Sequence, residues 1–325
     1  SRGLGDVYKR QLHYFVEHAP LAIAWLEDLG IKVDDLTITG GMSKKRTHRP
    51  SSMAPIGAFL VNNLLKLADE RHIPIFIDSK VTNLLQDKNK KITGVEVNNG
   101  RQIRAKAVLL ATGGFGAAKD LIAKYRPDLR DYKTTNQTGA TGDGLKLADK
   151  VGAQLEQLEL VQVHPTVQQD TDHAYLIGEA VRGEGAILVD HQGKRFINEL
   201  STRKIVSNAI TETPEHSAYL IFDQGVRDRV KAIEFYDSIN LVVHGNTIEE
   251  LAANIKVPAA NLKATLQNWN EAVEKNSDDE FGRTTGMASL DHAPYYAIHI
   301  APAIHYTMGG IHIAPDTSCL LYTSD

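Results

Sequence analysis

The spacing of apolar and polar positions divides the chain into helix-like and strand-like stretches. Pro20 to Leu29 (PLAIAWLEDL) repeats its apolar residues at helical spacing, and Gly30 follows as a stop, so a helix is predicted there. Ile56 to His72 predicts a second amphipathic helix, and the polar, basic stretch Gly40 to Arg49 between them reads as a loop. The period then changes: Val81 to Leu85, Ile92 to Val97 and Gln102 to Arg104 look like strands, joined by the turn sequences DKNKK and NNG into an antiparallel meander. Val108 to Ala111 is a continuous apolar run suited to a buried parallel strand, and it leads directly into Thr112, Gly113, Gly114, Phe115 and Gly116. From about Leu160 the pattern mixes again. A hairpin is predicted around Gly193 (AILVD, HQG, KRFIN), a helix from about Thr202, and a long helix from Ala259 to Lys275. The predicted class is mixed α/β.

Composition sets limits on this picture. The chain has 325 residues, 42% hydrophobic and 23% charged, which is enough for two domains. Its net charge of -4 gives no basic field to hold nucleic acid or an anionic membrane, so any anion site must be local. No apolar run reaches the roughly 18 residues of a membrane span. The single cysteine, Cys319, excludes an internal disulfide framework and a cysteine-based zinc or iron–sulfur site, and no metal ligand set is predicted. Cysteine usage leaves a cytoplasmic and an exported or periplasmic location equally open. Both ends, 1–11 (SRGLGDVYKRQ) and 319–325 (CLLYTSD), read as non-native sequence.

The chemistry begins at the glycine turn. Glycine after a strand lets backbone approach a cofactor closely, though a tight turn uses it equally well for conformation alone. Six segments in order narrow the reading: ATGGFG at Ala111 to Gly116, TNQTGATGDG at Thr135 to Gly144, QVHPT at Gln162 to Thr166, GEAVRGEGAILVD at Gly178 to Asp190, GKRFINELSTR at Gly193 to Arg203, and HYTMGGI at His305 to Ile311. Together they resemble the FAD-dependent fumarate reductase and succinate dehydrogenase flavoprotein superfamily, most of all its soluble, flavocytochrome c type branch. The resemblance runs from about Leu12 to Ala314. It implies a two-dinucleotide-binding FAD domain interrupted by an inserted capping domain, with both ends truncated. Residues 12–159 would be FAD domain, 160–304 the cap, and 305–318 the return. The strand and GxGxxG helix that carry the pyrophosphate would lie upstream, and one further substrate arginine downstream. This chain is thus expected to be the middle of an enzyme and inactive by itself.

The same resemblance assigns roles. FAD is the implied cofactor, with Val81, Thr112, Gly113, Asp143 and Gly144 as its expected contacts. A dicarboxylate brings two charges into a site that excludes water, so each carboxylate needs cations or strong donors in place of its hydration. His164 and His305 are the expected anchors, where an isolated histidine would more often be a satisfied core or surface residue. Arg203 maps to the residue that protonates one substrate carbon while flavin delivers hydride to the other, with Glu179 and Arg182 relaying the replacement proton. Without the motifs these three would read as a surface ion-pair network. If Ser201 or Thr202 caps the following helix, Arg203 lies at the positive end of its dipole, a term of about 0.3–1 kcal/mol against the cation.

One position departs from the family pattern. Gly178 stands where a threonine commonly donates to a substrate carboxylate, which is expected to weaken the fit to a four-carbon diacid and leave space for a larger group. Fumarate reduction is the leading expectation. Reduction of another 2-enoate (urocanate, acrylate or an aryl enoate) and a non-catalytic flavin-binding module are the alternatives. A 3-ketosteroid dehydrogenase is disfavoured, since a neutral sterol has no use for a cluster of anion-binding groups. The electron donor, a domain or separate protein, is not specified by these residues.

Overall fold

The structure, a computed structural model, describes residues 9–37, 44–52, 56–98, 100–314 and 318–319. Most of the two end segments read as non-native, and residues 40–43 of the predicted loop, lie outside the described residues. The chain separates into two compact units. One comprises residues 1–113, 143–157 and 309–325, the other residues 114–142 and 158–308.

In the first unit the helix expected from Pro20 instead begins at Lys9 and runs to Asp28, with Pro20 inside it. A proline within a helix removes one backbone hydrogen bond, and here the affected turn is exposed, so water can satisfy the freed carbonyl. Gly30 does end the helix. At φ +79° it is left-handed, with Gly30 N donating to Glu27 O at 2.8 Å and Ile31 N to Leu26 O at 2.9 Å, a Schellman closure. The second helix, Ile56–Glu70, also forms. The expected loop is shorter than predicted, because Thr47–Arg49 pairs antiparallel with Asp35–Thr37. Polar residues take this strand because its backbone finds a partner and His48 Nδ1 meets Val33 O at 2.9 Å.

The meander forms as predicted, with Val81–Gln86, Ile92–Val97 and Arg101–Arg104 in that order. Gly94 is required in it, since a Cβ there would stand 2.1 Å from the Ile103 carbonyl oxygen. The helix Asp143–Lys150 packs against the first of these strands. The predicted strand at Val108–Ala111 is not formed. A strand needs a neighbour to take up its backbone hydrogen bonds, none of the described strands pairs with these residues, and Leu109 is 87% exposed.

The second unit is built on a six-stranded antiparallel sheet. Its order is Tyr175–Leu176, Val161–Gln168, Tyr295–Thr307, Ala218–Asp223 and Ile187–Val189, with Val243–Gly245 also pairing to the long strand Tyr295–Thr307. The apolar run expected before Gly193, and the strand Ala218–Asp223 beside it, are buried because helices cover the sheet. Ile187, Leu188, Val189, Leu220, Ile221 and Phe222 have no accessible surface. Only one arm of the predicted hairpin is a full strand. Its turn closes as expected, with Asp190 Oδ1 accepting from Gln192 N and Lys194 N, but the return arm pairs only through Arg195. The helix Arg203–Thr211 starts within one residue of its predicted start, and Ala259–Glu274 lies within one residue of its predicted limits. Among the described residues, no helix is long and apolar enough to cross a membrane.

Candidate active site

The second unit brings His164, Gly178, Glu179, Arg182, Arg203 and His305 into one neighbourhood. Strand alternation puts Gln162 and His164 on the same face of Val161–Gln168. The adjacent strand pairs Ala303 with His164 and Ile304 with Val163, then shifts register before Tyr306, and His305 falls in that irregularity. A bulge of this kind re-aims a side chain. The two imidazoles consequently meet edge to face, with centroids 5.5 Å apart.

His164 is 1% exposed, and its Nδ1 accepts from Thr166 N at 3.3 Å. That bond places the ring proton on Nε2, which makes the neutral ring a donor. Burial, reinforced by Arg182, Arg203 and His305, lowers its pKa to about 3. His305 is also held below its ordinary value by burial and Arg203, with Glu179 opposing, and its Nδ1 lies 2.9 Å from Thr135 Oγ1. The expected anion anchors are thus a pair of neutral rings, whose means of meeting an anion is hydrogen bonding rather than charge.

The carboxylate and the two guanidiniums sit on two short helices. Glu179 and Arg182 are one turn apart on the short helix Glu179–Gly183, and Arg203 is the first residue of Arg203–Thr211. Of the two predicted caps, Thr202 is the one that acts, its Oγ1 accepting from Ile205 N at 3.4 Å. Arg203 Nε donates to Glu179 Oε1 at 2.6 Å and Nη1 to Gln162 Oε1 at 2.5 Å, so the guanidinium is gripped from two elements. Arg182 Nη2 lies 3.9 Å from the same carboxylate oxygen. Burial alone would raise the Glu179 pKa, but the Arg203 hydrogen bond and both cations outweigh it and hold the carboxyl below its usual range. Arg182 is buried, which lowers its pKa to about 10 against the opposing charge of Glu179. Its Nη1 donates to the Glu199 carbonyl at 2.6 Å, while Nε and Nη2 have no hydrogen-bond partner.

A second layer fixes Arg182. Glu199, fully buried, accepts from Arg195 Nε at 2.9 Å, Arg283 Nη1 at 3.1 Å and Leu188 N at 3.2 Å. Arg283 Nη2 in turn donates to the Arg182 carbonyl at 2.6 Å. The guanidiniums of Arg195 and Arg283 both lie over the Trp269 ring, 4.6 and 4.8 Å from its centroid. Sequence reasoning missed Gln162, Thr135, Glu199 and Tyr236. Gln162 had a signal, since it precedes His164 by two residues in a strand-like segment. Tyr236 had none. Its hydroxyl oxygen accepts from Gly178 N at 3.1 Å and stands 3.5 Å from where a Cβ at 178 would be. A Cβ at 178 would be in ordinary contact with that hydroxyl and would meet no other atom within 4 Å.

The five expected FAD contacts lie in the first unit. Gly113, at φ +69°, has open space where a side chain would stand. Gly144 abuts Thr112, since a Cβ there would fall 2.0 Å from Thr112 Oγ1. Asp143 opens the helix Asp143–Lys150 with its carboxylate 3.9 Å from Lys80 Nζ, and Val81 begins the adjacent meander strand. Open backbone at Gly113 with an exposed carboxylate at Asp143 fits a cofactor that carries hydroxyls and amides.

Comparison with known proteins places these features in context. The description of the FAD binding domain family matches residues 6–320. The chain is 43% identical over 314 residues to the NADH:fumarate oxidoreductase of Klebsiella pneumoniae, covering 95% of this chain and 34% of that one. It is 38% identical to the probable fumarate reductase Ifc3 of Shewanella frigidimarina, covering 94% and 52%. Among solved structures, the open conformation of a flavocytochrome c3 fumarate reductase superposes with a TM-score of 0.84 at 37% identity, covering 96% of this chain and 56% of that one. The chain thus spans about half or less of the length of these relatives.

Proposed function

This chain belongs to the FAD binding domain family, and on that premise we propose that the protein containing it reduces the carbon–carbon double bond of fumarate to give succinate. The observation that carries the reading is Arg203, held by Glu179 and Gln162 beside two neutral histidines. FAD, when bound, supplies a hydride to one alkene carbon, and Thr112, Gly113, Asp143 and Gly144, with Val81 nearby, are the residues of this chain that would hold it.

The protein's own groups account for the rest of the balance. One hydride and one proton convert fumarate to succinate, and Arg203 gives the proton to the second carbon. Glu179, 2.6 Å from Arg203 Nε, returns a proton to it, and Arg182, with two buried nitrogens, Nε and Nη2, unspent, passes the replacement to Glu179. His164, through Nε2–H, and His305 hold substrate carboxylate without adding a fixed charge. Their neutrality has a purpose here: a dianion beside Arg203 and Arg182 already meets positive charge, and two more cations would pull Glu179 further from accepting a proton. Electrons reach FAD from a donor domain or protein that this chain does not identify.

Gly178 favours a second reading, the same chemistry on a 2-enoate with a single carboxylate. Steady-state rates of the full-length protein on fumarate, acrylate and urocanate separate the two. Fumarate is expected to give the highest kcat/KM, and inactivity on fumarate with turnover of another acid would replace it as the substrate.

A further inference from the structure

Three consecutive residues, Thr134, Thr135 and Asn136, run alongside the strand Tyr295–Thr307 where it bulges at His305. Thr134 forms a parallel bridge with Ile304, Ile304 N donates to Lys133 O at 2.9 Å, and Asn136 Nδ2 donates to His305 O at 2.9 Å. Gly116 makes room for that amide, since a Cβ at 116 would stand 2.3 Å from Asn136 Nδ2. The backbone at His305 is thus tied to this segment just where its register with Val161–Gln168 is broken.

Counting donors and acceptors locates the hydroxyl protons of the segment. Thr134 Oγ1 accepts twice, from Asn136 N at 3.1 Å and Asn136 Nδ2 at 2.9 Å, so both lone pairs are taken and its proton goes to Ile304 O at 3.3 Å. Ile304 O also accepts from Thr135 N at 3.0 Å. Those two donors fill the carbonyl. The Thr135 hydroxyl lies 3.3 Å from that filled oxygen and closer, 2.9 Å, to His305 Nδ1, so its proton belongs to Nδ1. A neutral imidazole that accepts at Nδ1 carries its own proton on Nε2. His164 has the same tautomer for a parallel reason, its Nδ1 accepting from Thr166 N, and the two rings lie 5.5 Å apart.

We propose that Thr135 is a positioning residue that fixes His305 as the Nε2–H tautomer, so that both histidines offer an N–H to substrate carboxylate. The inference rests on the enoate reductase reading above. With the proton on Nδ1 instead, Nε2 would present a lone pair to an anion, and a neutral ring would then repel what it is meant to hold. The pairing was hidden in the sequence because Thr135 and His305 are 170 residues apart.

The test uses the full-length, FAD-loaded protein, with flavin absorbance and Tm recorded for every variant. Solid-state nitrogen NMR of the histidine-labelled wild type at neutral pH reads the tautomer without turnover, the His305 signals being assigned by their loss in His305→Gln. A bare Nδ1 and a protonated Nε2 are expected. In Thr135→Val, which removes only the hydroxyl, the two tautomers are expected to mix. Its kcat/KM for fumarate should fall about tenfold, the equivalent of one lost hydrogen bond to a charged group, with KM moving more than kcat. Thr135→Ser keeps the hydroxyl and is expected to restore the tautomer and bring kcat/KM to within about threefold of the wild type, a rescue that general damage to the fold would not produce. In a His305→Gln background, Thr135→Val is expected to change kcat/KM by less than about twofold, because its effect passes through the ring. A wild-type His305 protonated on Nδ1, a Thr135→Val kcat/KM within about twofold of the wild type, or a serine variant no better than the valine one overturns the proposal. A wild type that reduces none of fumarate, acrylate and urocanate overturns the enoate reading and this inference with it, whereas failure of the inference alone shows as an active wild type with the wrong tautomer or an indifferent Thr135→Val.

Discussion

At the residue scale the site depends on protonation states that burial imposes. His164 refuses a proton until about pH 3, whereas in the unfolded chain it takes one up near 6.5. The unfolded state therefore binds more protons across that window, and folding stability falls as pH drops from about 6.5 towards 3. His305, also lowered, acts in the same direction. His164→Gln is expected to flatten this dependence, so that the difference in Tm between pH 7 and pH 4.5 becomes smaller than in the wild type; an unchanged difference would show that the histidine is not buried neutral. The motif residues His164, Glu179, Arg182, Arg203 and His305 were legible because short segments announce them. Gln162, Glu199 and Tyr236 join the site through pairing across the sheet and through core packing, and such contacts leave little or no local pattern.

At the scale of elements, helix termini position the groups proposed to react. Thr202 caps the helix whose first residue is Arg203, and Thr202→Ala is expected to cost about 1 kcal/mol of stability. It should also lower kcat, because fraying of that turn loosens Arg203 from Glu179 and Gln162; urea denaturation and steady-state rates measure the two effects, and lost stability with no change in kcat would show that the cap does not position the arginine. The helices, the meander and the glycine stop at Gly30 could be read from periodicity and turn residues, because those signals are local. Two limits of such reading are instructive. Thr47–Arg49 became a strand despite its polarity because pairing satisfied its backbone, and Val108–Ala111 did not become one despite its apolar run because no described strand lies beside it. Strand formation depends on partners, which hydropathy does not encode.

At the scale of the whole molecule the two units differ in how completely they bury their apolar surface. The second has a continuous core under its six-stranded sheet. In the first, Leu12, Phe15, Val16, Leu21 and Trp25 of the long helix, together with Ile75, Phe76, Ile77 and Leu109, are exposed. Local opening costs least where few apolar contacts must break. Hydrogen exchange of this chain is therefore expected to be slowest at Ile187–Val189 and Ala218–Asp223 and fast at residues 105–113; equal protection in both regions would contradict the contrast. The apolar runs of the second unit announced its core, whereas the exposed surfaces of the first look the same in sequence as buried ones.

The central claim is that Arg203 gives a proton to the substrate carbon, and one measurement addresses it most directly. Full-length wild type and Arg203→Ala are reduced anaerobically, mixed with fumarate in a stopped-flow instrument, and followed by flavin absorbance. The wild type is expected to reoxidise its flavin, and the variant, with the same flavin content, to do so about 10²- to 10⁴-fold more slowly, the range for loss of a general acid. Reoxidation of Arg203→Ala at the wild-type rate would contradict the account.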